Sequence, residues 1–158
     1  MPLSALGYAP EDLAAAMANL RRQAAFEGIV FAPRSPESLL ANTHRALAAS
    51  AIVQAEDPRC FEAFHHALFH ASFGELRDIG DPSVLREIAA GVGLDAGRLD
   101  AALAAGDGEA ALQEATEDAR RRRITAVPAF VFSGREVVIG AYPPEALRQA
   151  AERVVAQG

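Results

Sequence analysis

Cys60 is the only thiol in the sequence, and its surroundings decide what sulfur chemistry is open to the chain. It falls in the first turn of a helix opened by Asp57-Pro58, where unpaired backbone N–H groups can lower a thiol pKa. Dithiol exchange also needs a resolving cysteine beyond an intervening pair, and Phe61, Glu62 and Ala63 supply none. The residues therefore favour a buried, unreactive thiol. With one cysteine, neither an intrachain disulfide nor a cysteine-rich zinc site can form.

His66 and His70 stand four apart with Glu62 a turn earlier, a spacing that can hold a metal ion between two imidazoles. A closed site needs more ligands, so a solvated polar face is the expectation, with no metal and no cofactor. His65 is placed nearer a phenylalanine stripe, as a histidine at the edge of the core. Arg120 to Arg123 end a helix that starts with Glu109, which suits the helix dipole at both ends; anion binding is the sharper alternative. No Ser-His-Asp pattern, phosphate loop or carboxylate pair stands out.

These residues must be positioned by a largely helical chain. It has 158 residues, 51% hydrophobic and 23% charged, enough for one globular domain with a core. Much of the apolar content is alanine, with eight Phe, two Tyr and no Trp, so closely approaching helices with a few large anchors are expected. A net charge of −6 and a pI near 5.2 argue against a nucleic-acid partner, which needs clustered Lys and Arg. The start, Met1-Pro2-Leu3-Ser4, lacks a basic segment followed by an apolar run, and no stretch has the roughly 18 apolar residues of a membrane span. No membrane association and a cytoplasmic location are the expectation.

The 3–4 spacing of Leu13, Ala16, Met17, Leu20 and Ala24 predicts an amphipathic helix over 10–27, stopped at Gly28, with a connector over 29–36. Ser35 and Pro36 predict the start of a helix over 36–54. Asp57-Pro58 opens a helix that gathers Phe61, Phe64 and Leu68, with Phe69 and Phe73 widening the stripe. Asp81-Pro82 opens another, with Val84, Leu85, Ile88 and Ala89, closing at Gly91 to Gly93. Asp95 caps a short helix with Leu99 and Leu103, broken at Gly106-Asp107-Gly108, and 109–122 forms the next. The period then changes: 129–132 and 136–139 read as strands of a hairpin with a three-residue loop, Ser133-Gly134-Arg135. A helix from Pro144 to about Val155 ends the series.

The run Ala126-Val127-Pro128-Ala129-Phe130-Val131-Phe132, a hairpin, Val138-Ile139-Gly140-Ala141 and Pro143-Pro144-Glu145 resembles the end of a DsbA-family protein. Upstream, Ala41 to Ala46, Leu68 to Phe73, Arg77 to Asp81, Leu85 to Ala89 and Gly93-Leu94-Asp95 resemble the FrnE-like and 2-hydroxychromene-2-carboxylate isomerase-like branches of that family. The resemblance implies an α+β, mostly helical fold: a DsbA-type helical insertion domain over 1–123 and the C-terminal β-β-α of a truncated thioredoxin fold over 124–158, packed as one compact unit. It also implies that the chain begins where the family's helical insertion begins. The strand, Cys-x-x-Cys or serine motif, helix and second strand that precede it in relatives do not occur in this sequence.

By the same resemblance Val127–Pro128 is a cis peptide, and proline lowers the cost of that geometry to about 0.5–1 kcal/mol. The loop Ala126, Val127, Pro128 is then the substrate-binding position, with the Val127 backbone holding an extended peptide and no catalytic residue present. Arg123 and Ala126 stand where relatives place glycine, so an arginine there is strained or the turn differs. Asn42 and His44 would line the family's substrate cleft. Three functional expectations follow: a redox-inactive family member that binds a peptide or partner; a fragment of a longer thiol-disulfide oxidoreductase or glutathione-dependent isomerase; or a remnant without activity. In the complete fold the 129–132 strand has a neighbour on each side, so a homodimer or a partner chain is expected to cover its exposed edge.

Overall fold

The computed structural model describes residues 10–33 and 42–156. In chain order it contains α1 (Pro10–Phe26), α2 (His44–Glu56), α3 (Pro58–Phe69), a π-helical turn (His70–Gly74), α4 (Pro82–Gly91), α5 (Ala96–Ala105), α6 (Glu109–Arg121), β1 (Ala129–Phe132), β2 (Glu136–Ile139) and α7 (Pro144–Ala156). This is the α+β, mostly helical class expected. The chain divides into two compact units, 1–111 and 112–158, ahead of the 123/124 position at which the sequence period changes.

In the first unit α2 packs on α3 and α5, and α4 packs on α3 and α5. Alanine allows this close approach: Ala49 and Ala89 are fully buried, and Phe64 and Leu85 are the large side chains sealed between the helices. Local chemistry sets the ends. Pro58 and Pro82 stand at first-turn positions, where a missing N–H costs nothing. The Asp81 carboxylate accepts from the Ser83 N–H at 2.7 Å, and that of Asp95 from the Arg98 N–H at 3.0 Å.

Three expectations are corrected. Ser35 and Pro36 lie outside the described residues, but Asn42 and Thr43 are not helical, so no continuous helix runs over 36–54. The Asn42 side chain accepts from the His44 N–H at 3.1 Å, a local bond that competes with the helical ladder and starts α2 at His44. Phe69 and Phe73 do not widen the buried stripe: they are 53% and 41% exposed. The π turn wraps wider than an α turn, with the Glu75 N–H on the His70 carbonyl, so residues beyond Phe69 leave the 3.6 period. Finally, the apolar stripe of α1 is mostly uncovered, with Ala24 its one buried member among those described.

The second unit is a hairpin and two helices. β1 and β2 pair antiparallel, Ala129 opposite Ile139 and Phe132 opposite Glu136, and the loop is the expected 133–135. Ser133 and Gly134 have φ of +47° and +69°, as a type I′ hairpin turn demands at both central residues, and the Arg135 N–H closes the turn on the Phe132 carbonyl at 2.9 Å. α7 packs against both strands and buries Ala150 and Val154.

Candidate functional site

The loop between α6 and β1 is held from both ends. α6 stops in a Schellman turn: the Ile124 N–H donates to the Ala119 carbonyl at 2.9 Å and the Arg123 N–H to the Arg120 carbonyl at 3.0 Å. That turn needs a left-handed residue, and Arg123 supplies it at φ +56°. The turn is thus kept and the arginine takes the strained conformation. Arg122 beside it donates from Nε to the Asp118 carboxylate at 2.6 Å and from Nη1 to the Gly134 carbonyl at 3.3 Å, linking the helix end to the hairpin loop. These bonds, Arg122's first among them, hold the Asp118 carboxyl below its ordinary value. On the far strand Arg153 of α7 pairs with Glu136.

Ala126, Val127 and Pro128 are all exposed, Val127 87% so, and the Val127–Pro128 peptide is cis. Among the described residues neither the N–H nor the C=O of Val127 has a hydrogen-bond partner. The Pro128 carbonyl accepts from the Gly140 N–H at 2.8 Å, which extends the ladder by one pair. Backbone groups alternate sides along an antiparallel strand. Phe130 and Phe132 therefore address β2, while Ala129 and Val131 turn theirs to the open side of β1. Among the described residues β1 has no second neighbour.

The other candidate residues lie apart from this loop in sequence and make separate local contacts. Cys60 is half-buried on α3; burial, then a hydrogen bond to Asp57, push its thiol above the ordinary value. That opposes the thiolate form expected of a reactive helix-start cysteine. His66 approaches Glu62 at 3.9 Å, whereas His70 turns to Glu75 at 3.5 Å, so the two imidazoles have different partners. No group of three or more His, Cys, Asp or Glu among the described residues could hold a metal ion. His65 is exposed rather than at a core edge, stacked between Phe61 and Phe69 at centroid distances of 5.4 and 4.9 Å. Of the arginine run, Arg121 and Arg122 pair with Asp118. His44 Nε2 lies 2.9 Å from both Glu109 carboxylate oxygens, beside a cavity of about 410 Å³ that Arg45, Arg86 and Asp100 also line.

One feature of the first unit escaped the sequence reading. An apolar groove of about 250 Å³ runs between α2 and the α3–π segment, lined by Leu47, His65, Phe69, Phe73 and Ile79 among others. Its signal was present in the stripe itself, since large apolar residues at 61, 64, 68, 69 and 73 cover more than one helix face.

The residue pattern of the DSBA-like thioredoxin domain matches residues 1–152. A probable DsbA oxidoreductase from Streptomyces coelicolor has the same fold, with a TM-score of 0.83 and 28% identity, over 100% of this chain and 69% of that one. A candidate protein disulfide isomerase from Nitrosomonas europaea aligns with a TM-score of 0.76 at 21% identity, over 95% of this chain and 76% of its own. At that identity the second likeness speaks to fold alone. No curated protein matches. The chain belongs to the DsbA-like thioredoxin family, whose members include oxidoreductases. Among the described residues no helix is long and apolar enough to cross a membrane.

Proposed function

We propose that this chain binds an extended polypeptide along Ala126, Val127 and Pro128 and the open side of β1, and that by itself it does not exchange disulfides. The observation that carries the reading is Val127: 87% exposed, with unpartnered backbone groups, at the head of a strand with an open side. A peptide added there as a strand gains main-chain hydrogen bonds with Val127, Ala129 and Val131. The same edge is the surface that a second copy or a partner chain would cover. Redox inactivity rests on the single cysteine and on surroundings of Cys60 that disfavour its thiolate. A cytoplasmic location fits a family member with no disulfide to maintain.

Titration of the ¹⁵N-labelled protein with an extended apolar peptide tests this. The amide signals of Val127, Ala129 and Val131 should move, and those of Phe130 and Phe132 much less. Shifts confined to other residues would overturn the reading. Insulin reduction should not exceed that of Cys60→Ser.

A second reading is favoured by the coverage of the Streptomyces structure, of which this chain spans 69%. In it the natural protein carries a further segment whose Cys-x-x-Cys or serine motif sits beside Pro128, and the whole is a thiol-disulfide oxidoreductase or glutathione-dependent isomerase. The intact mass of the endogenous protein decides: a species heavier than 16.6 kDa supports this version, and one at 16.6 kDa the first.

A further inference from the structure

α1 packs its length against no other helix or strand among the described residues. Met17, Leu20 and Ala24 nevertheless form an apolar seam along it, of which Ala24 is buried, Met17 half-buried and Leu20 37% exposed. Phe26 at its last position is 94% exposed, and just beyond it Ile29 and Val30 are 54% and 80% exposed. Helices much shorter than about 15 residues are marginal alone in water, and most helical stability in proteins comes from packing an apolar face. A 17-residue helix with this seam calls for a surface over it.

The same unit carries such a surface. The groove between α2 and the α3–π segment has an exposed wall of Leu47, Phe69 and Phe73, at 53%, 53% and 41%. The connector that leaves α1 is already fastened to its rim: Phe31 meets Phe73 edge-on at 5.6 Å, and the Ala32 N–H donates to the Phe73 carbonyl at 2.9 Å. Seam and groove are thus two apolar faces of one chain joined by a short tether, the self-complementary arrangement that closes two-fold dimers by exchange of an element.

We propose that α1 is an exchange arm: in a dimer of two copies of this chain, α1 of each lies in the groove of the other. The area agrees. At about 150–200 Å² for a fully exposed large apolar side chain, the exposed parts of the arm and groove residues named above come to about 600–800 Å² per copy. Stable interfaces bury about 800 Å² per partner. The arrangement leaves the Val127–Pro128 loop unused, so it stands or falls independently of peptide binding there.

The test is sedimentation equilibrium of the wild type, of Leu20→Asp in the arm and of Phe69→Asp in the groove, followed by an equimolar mixture of the two variants. Both residues are exposed, so helical circular dichroism should persist; Leu20→Ser and Phe69→Ser replace any variant that loses it. The wild type should dimerise in the micromolar range and each variant should dimerise at least tenfold more weakly. The mixture should regain heterodimers, because the intact arm of Phe69→Asp meets the intact groove of Leu20→Asp. A monomeric wild type, a dimer indifferent to both changes, or a mixture that stays monomeric would each overturn the proposal, the last by pointing to contact between like surfaces.

Discussion

The helical unit and the hairpin unit hold themselves together by different means. In the first, Phe64 and Leu85 are fully enclosed and alanines let four helices close around them. In the second, Ala150 and Val154 are the buried side chains among the described residues, α6 buries none, and no strand residue is fully buried. A two-stranded sheet is marginal in water. What steadies this one is local: a tight turn, the Arg122 link to Gly134, the Arg153–Glu136 pair and one face of α7. Stability should therefore fall from the first unit to the second, and the candidate binding loop sits at the lower end, where segments that must admit a ligand usually lie.

Removing an anchor from each unit tests that gradient most directly. Phe64→Ala should cost about 3–5 kcal/mol by leaving a large cavity among helices that cannot all collapse. Val154→Ala should cost only about 1–2 kcal/mol, since less is removed and its surroundings relax more easily. Urea denaturation gives the first figure. Hydrogen exchange separates the second, which should speed the exchange of β1 and β2 amides and leave those of α3 unchanged. Equal costs would mean that the hairpin has a core as constraining as that of the helices.

Close backbone approach sharpens the contrast next. Gly108 lies so near α2 that a Cβ would stand 2.6 Å from the Ala48 carbonyl oxygen and 2.8 Å from its Cα. Backbone cannot step aside as a side chain can, so Gly108→Ala should cost about 1–3 kcal/mol in urea denaturation. Gly134→Ala in the hairpin loop has ample space, its nearest neighbour being the Arg122 guanidinium at 3.6 Å. Its penalty should be only the left-handed φ, about 1 kcal/mol.

How much of this was legible in the sequence follows the same division. Most signals that act within a few residues hold in the structure, the continuous helix over 36–54 being the exception. Asp57-Pro58, Asp81-Pro82 and Asp95 start helices, Gly106 ends one, and the strands fall on 129–132 and 136–139. Effects that depend on a neighbour or on a change of helical pitch were not legible. The π turn exposes Phe73, which a constant 3.6 period buries, and the bareness of the α1 stripe can be seen only once packing is known. The site was legible through resemblance alone: nothing in the spacing of Ala126, Val127 and Pro128 says that their backbone lies open.

Helix ends offer a smaller contrast of opposite sign. α1, α4 and α5 are followed by left-handed glycines, Gly28, Gly93 and Gly106, each in the bond pattern that closes α6 around Arg123. A left-handed L-residue costs roughly 1–2 kcal/mol, so Arg123→Gly should stabilise the chain by about 1 kcal/mol despite the greater entropy of glycine in the unfolded state. Gly93→Ala should destabilise it by a similar amount. The Arg123 change should slow exchange of the 124–132 amides and weaken peptide binding only if strain in this turn shapes the loop. Unchanged affinity would separate the turn's cost from its use.

The smallest effect expected is on acid stability, and it appears in both units. Asp81 at the start of α4 accepts bonds from the Ser83 hydroxyl and N–H, and Asp118 in α6 from Arg122 and Arg121. Each set holds its carboxyl below the ordinary value. A carboxylate depressed on folding adds stability that is complete above its unfolded pKa of about 3.9, and that is lost as pH falls through the lower folded value. Thermal midpoints should thus be flat from neutral pH to about 5 and decline below about 4. Asp81→Asn should reduce the decline for the helical unit, and Asp118→Asn for the hairpin unit as followed by strand amides. If instead Asp118→Asn altered the acid response of both units alike, the hairpin would be unfolding with the helices rather than before them, and the gradient between the two would be refuted.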